Sequence, residues 1–223
     1  MTQLYLLSVS LSLVQIIYGI WCFQRLGTPH RVYIAGAMAS LGLWLFSFIT
    51  TSFNFVDKQP LHYVTPVLGS MIQAFFYKAA LKSYSWSRFL PLLPVLVVGY
   101  IAIDLYLFGQ RKMAIDLMSY VNVINCILGV VLQNNLLKQT GSELKRNGLL
   151  WLNSAILLSA LLGVLSNLLL SRLFQYQNNE YFLLLYYGFW PVMGFINTGL
   201  VTYSIFLDSR KLPSLDKMPG FDH

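Results

Sequence analysis

The sequence predicts an all-α integral membrane protein, a bundle of seven transmembrane helices with its N-terminus outside and its C-terminus cytoplasmic. Three observations carry that expectation. Apolar residues make up 57% of the 223 positions and charged residues only 10%, with a mean hydropathy of +0.61, outside the range of a soluble domain. The apolar residues fall into seven long runs separated by short polar connections. Lys and Arg are also unevenly divided between alternate connections, eleven against four.

The first run, residues 4–23, begins after Met1–Gln3, which lacks a basic segment, and no small-residue cleavage pattern follows, so it reads as a retained helix. Tyr18 and Trp21 near its end suit an interfacial belt. A basic, turn-rich connection follows at Gln24–Arg31. The second run, 32–53, carries Gly36, Ala37, Ala39, Ser40 and Gly42, a small-residue face for close packing. The third, 61–80, contains His62, Pro66, Gly69, Ser70 and Gln73. The fourth, 89–108, FLPLLPVLVVGYIAIDLYLF, is long enough at about 1.5 Å per residue to cross a hydrocarbon core of about 30 Å. It has three runs on each side and holds Asp104, an acid that reads as enclosed within a span.

The fifth run, 117–137, contains Asn122, Asn125 and Cys126. The sixth, 149–173, is interrupted by Asn153, Ser159, Ser166 and Asn167. The seventh, 181–207, contains Pro191 and Gly194, read as a hinge that kinks the helix. Residues 1–207 thus form one transmembrane domain, and 208–223 a cytoplasmic tail without an apolar face. Arg25, Arg31, Lys78, Lys82, Arg88, Lys138, Lys145, Arg146, Arg210, Lys211 and Lys217 fall on one side, and Lys58, Arg111, Lys112 and Arg172 on the other, which fixes the expected orientation.

The formal charge of +7 is accounted for by these anchoring loops, so nucleic acid is not an expected partner, whereas membrane lipids are. Catalytic chemistry has little support. Cys22 and Cys126 lie at different depths, which disfavours a disulfide, and two thiols do not complete a structural zinc site. His30, His62 and His223 fall on mixed sides, so no metal is expected. No nucleophile elbow, phosphate loop or dinucleotide fingerprint is present, and the seventh run has no Lys for a covalent retinal. The expectation is a protein that is not an enzyme and carries no cofactor.

Polar residues at matching depth are the remaining signal. Asp104 and Tyr100 share a face of the fourth helix, and Asn122 and Asn125 lie in the outer half of the fifth. His62, Asn167 and Trp190 sit at comparable depth on the third, sixth and seventh. Together they suggest an outward-facing pocket for a small or amphipathic ligand. The competing account is that Asp104 reaches outward to Arg111 or Lys112 while the asparagines pair helices. Asn153, Asn197 and Tyr203, placed in the inner half, read as packing contacts.

The segments MASLGLWLFSFITTSF (Met38–Phe53) and LHYVTPVLGSMIQAFFYKAALKSY (Leu61–Tyr84), with Trp44 and Pro66 in their places, resemble the N-terminal seven-helix sensor region of bacterial histidine kinases. The resemblance implies a sensory input in a bacterial inner membrane, joined through its last helix to a cytoplasmic effector. After Leu207 only a short tail follows, so a separate protein partner at the cytoplasmic loops or the tail is expected. The leading expectation is a sensor or receptor-like module, ahead of an accessory subunit of a larger complex, a small-solute transporter and a lipid-active enzyme.

Overall fold

The structure, a computed structural model, describes residues 2–52, 59–108, 113–138, 147–173 and 190–210. Among them are seven α-helices and no strand: α1 (Thr2–Cys22), α2 (Thr28–Ser52), α3 (Gln59–Ala80), α4 (Leu93–Phe108), α5 (Met113–Leu137), α6 (Gly148–Leu173) and α7 (Trp190–Ser209). Three helical segments, Ser85–Ile103, Ser119–Leu137 and Gly148–Ser166, are long and apolar enough to cross a membrane.

Helix direction follows from the contacts. Gln133 on α5 bonds Ser154 on α6, and Gly129, further back along α5, lies against Leu157, further along α6, so these two run antiparallel. The hydroxyl of Tyr77 on α3 reaches the Asn125 carbonyl and Tyr84 beyond it reaches Asn135, so α3 and α5 run in the same direction. Six helices close a ring in the order α1, α2, α3, α5, α6, α7, with α7 returning to α1. Helix α4 lies outside this ring, against α3.

The fourth run, flanked by three runs on each side along the chain, is thus peripheral to the described ring. Its face away from α3 is bare, with Val95 63%, Leu96 69%, Ile103 62% and Tyr106 89% exposed. Among its described side chains only Val97 and Ile101 are buried, against Val121 of α5 and Tyr63 and Val67 of α3. The run is also not one regular helix, since Ser85–Leu92 winds as a 3-10 helix before α4 starts. Pro91 and Pro94 supply the reason: neither has an N–H for the i→i−4 ladder, so regular α geometry starts where Pro94 occupies the first turn.

The main core lies toward the end where α1, α3, α5 and α7 finish, called the basal end below. Cys22, Leu26, Ile34, Phe76, Tyr77, Leu81, Leu132, Leu152, Val201 and Ile205 are all buried there. Buried polar contacts tie the helices together: the Asn153 amide donates to the Gly129 carbonyl at 2.9 Å and to Gln133 Oε1 at 2.8 Å. Such interhelical bonds are each of the order of 1 kcal/mol.

Two helix starts are set at this end. Asn147 caps α6, its Oδ1 accepting from the Leu149 N–H at 3.1 Å. Helix α2 begins at Thr28, earlier than the apolar pattern indicates, because Pro29 fits a first helical turn and the Gly27 carbonyl accepts the Arg31 N–H. Helix α7 runs on through Ser209, which carries Asp208 into the bundle as part of the last turn rather than as the start of a tail.

Candidate functional site

Between the basal core and the far half of the bundle lies a cavity of about 300 Å³, at the small end of ligand pockets. It is lined from five helices: Tyr33 and Ser40 of α2; Gly69, Ile72, Gln73 and Phe76 of α3; Asn122 and Asn125 of α5; Ile156, Ser159 and Ala160 of α6; and Asn197 of α7. Ser40 and Ser159 are exposed, so the cavity reaches the surface of the bundle at those two side chains.

The apolar part of the lining is Ile72, Phe76, Ile156 and the ring of Tyr33, whose hydroxyl shares a hydrogen bond with the Gln15 side chain of α1. The polar part is dominated by carboxamides. Gln73 Oε1, Asn125 Oδ1 and Asn197 Oδ1 are buried with no hydrogen-bond partner among the described residues. Three orphaned acceptors on α3, α5 and α7, all bordering one cavity, are unusual, because a buried polar atom left unpaired costs about 1–3 kcal/mol. None of the described lining residues is charged.

Asn125 is held from behind. It is 1% exposed, and its backbone carbonyl accepts the Tyr77 hydroxyl at 3.3 Å. Asn122 lies beside Gly163 of α6, where even a Cβ would collide with the carboxamide. The close α5–α6 approach therefore depends on glycine at that level.

Of the residues singled out from sequence, the structure brings Asn122 and Asn125 to this cavity. Tyr100 is on α4, 39% exposed, its ring meeting Tyr120 edge-on at 6.0 Å, and it does not line the cavity. The side chains of Asp104, His62, Asn167 and Trp190 lie outside the described residues. Pro191 and Gly194 lie in α7, which is described from Trp190, so the segment before Pro191 that a kink would turn lies outside the described residues. Gln73 and Asn197 were not among the candidates. Both are carboxamides inside apolar runs, and aligning the runs antiparallel by depth would have grouped them with Asn125. Asn197 was set in the inner half by depth counted from residue 181, and it borders the cavity together with Asn125.

A second polar cluster closes the basal end. Asp208 Oδ2 accepts the Gly27 N–H at 2.7 Å and pairs with His30 Nδ1 at 3.0 Å, with the His30 and Asp208 side chains 2% and 5% exposed. The carboxylate thus sits at the start of α2, where unsatisfied N–H groups and the helix dipole favour negative charge. Arg31 ties the same turn by donating to the Leu26 and Gln24 carbonyls at 2.7 and 2.6 Å. Nothing in the sequence pattern marks Asp208, which is polar, near a helix end and close to Arg210.

The chain matches no family model, no curated protein and no solved structure. Among the described residues, no group of three His, Cys, Asp or Glu side chains gathers to hold a metal ion.

Proposed function

We propose that this chain is a seven-span integral membrane protein acting as a non-enzymatic sensor or receptor-like module, which binds a small ligand in the carboxamide-lined cavity. The observation that carries this reading is the set of three buried, unpaired carboxamide oxygens on three helices around one cavity. Asn153 Oδ1, Ser204 Oγ and His30 Nε2 are also buried without a partner among the described residues, but they do not line the cavity. The three carboxamide oxygens, by contrast, border a space large enough to hold a small molecule.

The orientation argument supports a membrane setting. Lys58, Arg111, Lys112 and the Arg172 side chain lie outside the described residues, while Arg25, Arg31, Lys78, Lys82, Arg88, Lys138 and Arg210 are exposed and lie in or beside the helix ends at the basal end. Trp21, 80% exposed, and Trp86, 37% exposed, accompany them, in keeping with an aromatic and basic belt at a headgroup layer. The basal end is then the cytoplasmic side, and the bacterial inner membrane is the location that the histidine-kinase resemblance implies.

Signal transfer has a physical route in α7. Asn197 borders the cavity, and Asp208, about 16 Å further along the same helix, latches the start of α2. A ligand that pulls Asn197 inward changes the balance of two α7 positions, and the latch reports the change to a cytoplasmic partner at the loops or tail. A second reading, accessory subunit of a larger complex, is favoured by one observation, the bare apolar face of α4.

Native mass spectrometry of the chain purified in a mild detergent separates the two. A stoichiometric small molecule, present with the wild type and lost with Asn125→Leu, supports the sensor. A stoichiometric protein partner with no small molecule turns the assignment to the accessory subunit.

A further inference from the structure

Resting on the reading of the cavity as a ligand site, we infer that its ligand is an uncharged small molecule with an apolar body and at least two hydrogen-bond donors. The charge follows from the lining. Among the described residues no Lys, Arg, His, Asp or Glu borders the cavity, and an ion taken there would lose its hydration with no opposite charge among them to meet it.

The donors follow from the orphaned atoms. Gln73 Oε1, Asn125 Oδ1 and Asn197 Oδ1 are acceptors, so a ligand satisfies them by giving protons to them. An analogue of the same shape without donors leaves them unpaired, which is the strongest form of discrimination a polar pocket has. The apolar body follows from Phe76, Ile72 and Ile156, whose side chains have no hydrogen-bonding group and form an apolar wall beside the carboxamides and the Ser40 and Ser159 hydroxyls. At about 300 Å³ the site suits a single ring or a short branched chain rather than a lipid tail.

The test uses the full chain in nanodiscs of uncharged lipid and four ring compounds of similar size: resorcinol, 1,3-dimethoxybenzene, benzylammonium and benzoate. Resorcinol has two donors and no charge at neutral pH. It should bind saturably and raise the Tm, and the affinity should fall about tenfold or more in Asn125→Leu and in Asn197→Leu. Tyr203→Phe, away from the cavity, should bind as the wild type does, which guards against general loss of fold. Equal binding of 1,3-dimethoxybenzene, or preference for either charged compound, overturns the ligand class while leaving the cavity as a ligand site. Saturable binding of none of the four overturns the ligand class, and if Asn125→Leu and Asn197→Leu also melt several degrees below the wild type, the carboxamides already have partners and the cavity reading falls with it.

Discussion

At the residue scale the cavity and the basal latch pull in opposite directions. Gln73 and Asn197 keep buried oxygens that nothing among the described residues satisfies, and Asp208 is satisfied twice over. Replacing an orphaned carboxamide by an apolar side chain of similar size removes a desolvation cost. Gln73→Leu should therefore leave the unliganded protein as stable as the wild type or raise its Tm, which thermal denaturation in detergent reads directly. A fall of several degrees would mean that the carboxamide already has a partner in the unliganded state.

The latch should behave in the reverse way. Asp208→Ala leaves the Gly27 N–H and the His30 ring without their acceptor, and stability should drop by about 1–3 kcal/mol. His30→Ala should cost less when added to Asp208→Ala than alone. A double-mutant cycle that turns out additive would show that the 3.0 Å pair contributes no coupling. Asn125 and Asn122 were legible at this scale because an Asn inside an apolar run stands out. Asp208 was not, since an acid near a helix end next to Arg210 has the pattern of a solvated tail.

At the element scale the helix pairs are set by a few small residues and caps. At Gly148 an added Cβ would lie 2.6 Å from the Ser204 carbonyl oxygen and 3.1 Å from the Asp208 nitrogen, both backbone atoms that no side-chain rotation relieves. Gly148→Ala should push α6 from α7 and destabilise the protein by about 1–3 kcal/mol despite the better helix propensity of alanine. An unchanged Tm would mean that the two helices separate without loss. Asn147→Ala, which removes the α6 cap, should cost about 1 kcal/mol.

The sequence located these elements well, because an apolar run bounded by turn residues is a local signal. It was least accurate at starts. The beginning of α2 at Thr28 depends on Pro29 fitting a first turn and on an acceptor, Asp208, that arrives from the far end of the chain. The fourth run was read as one helix because hydropathy does not register a missing N–H. Pro91 and Pro94 determine where its α geometry begins.

At the scale of the whole molecule, sidedness is the prediction to make. Single cysteines placed at Lys82, Lys138 and Arg210, in a background with Cys22 and Cys126 replaced, should all be labelled from the same face of sealed vesicles by a membrane-impermeant thiol reagent. Labelling of one of the three from the opposite face would break the seven-span arrangement and the orientation with it.

Sequence alone determined what depends on local composition: an all-helical chain, where its apolar runs lie, and the absence of a recognisable catalytic pattern. These are properties of each segment by itself, since backbone satisfaction within an apolar run leaves the helix as the available solution. Only the tertiary structure decided which helices touch. Helix α4, central in the count of runs, stands outside the ring, while Gln73, Asn125 and Asn197 from three distant segments border one cavity. Helix–helix contact between apolar segments is specified by close van der Waals fit and a few buried polar pairs. The hydropathy of a run, nearly the same on every side of such a helix, carries no record of its neighbours.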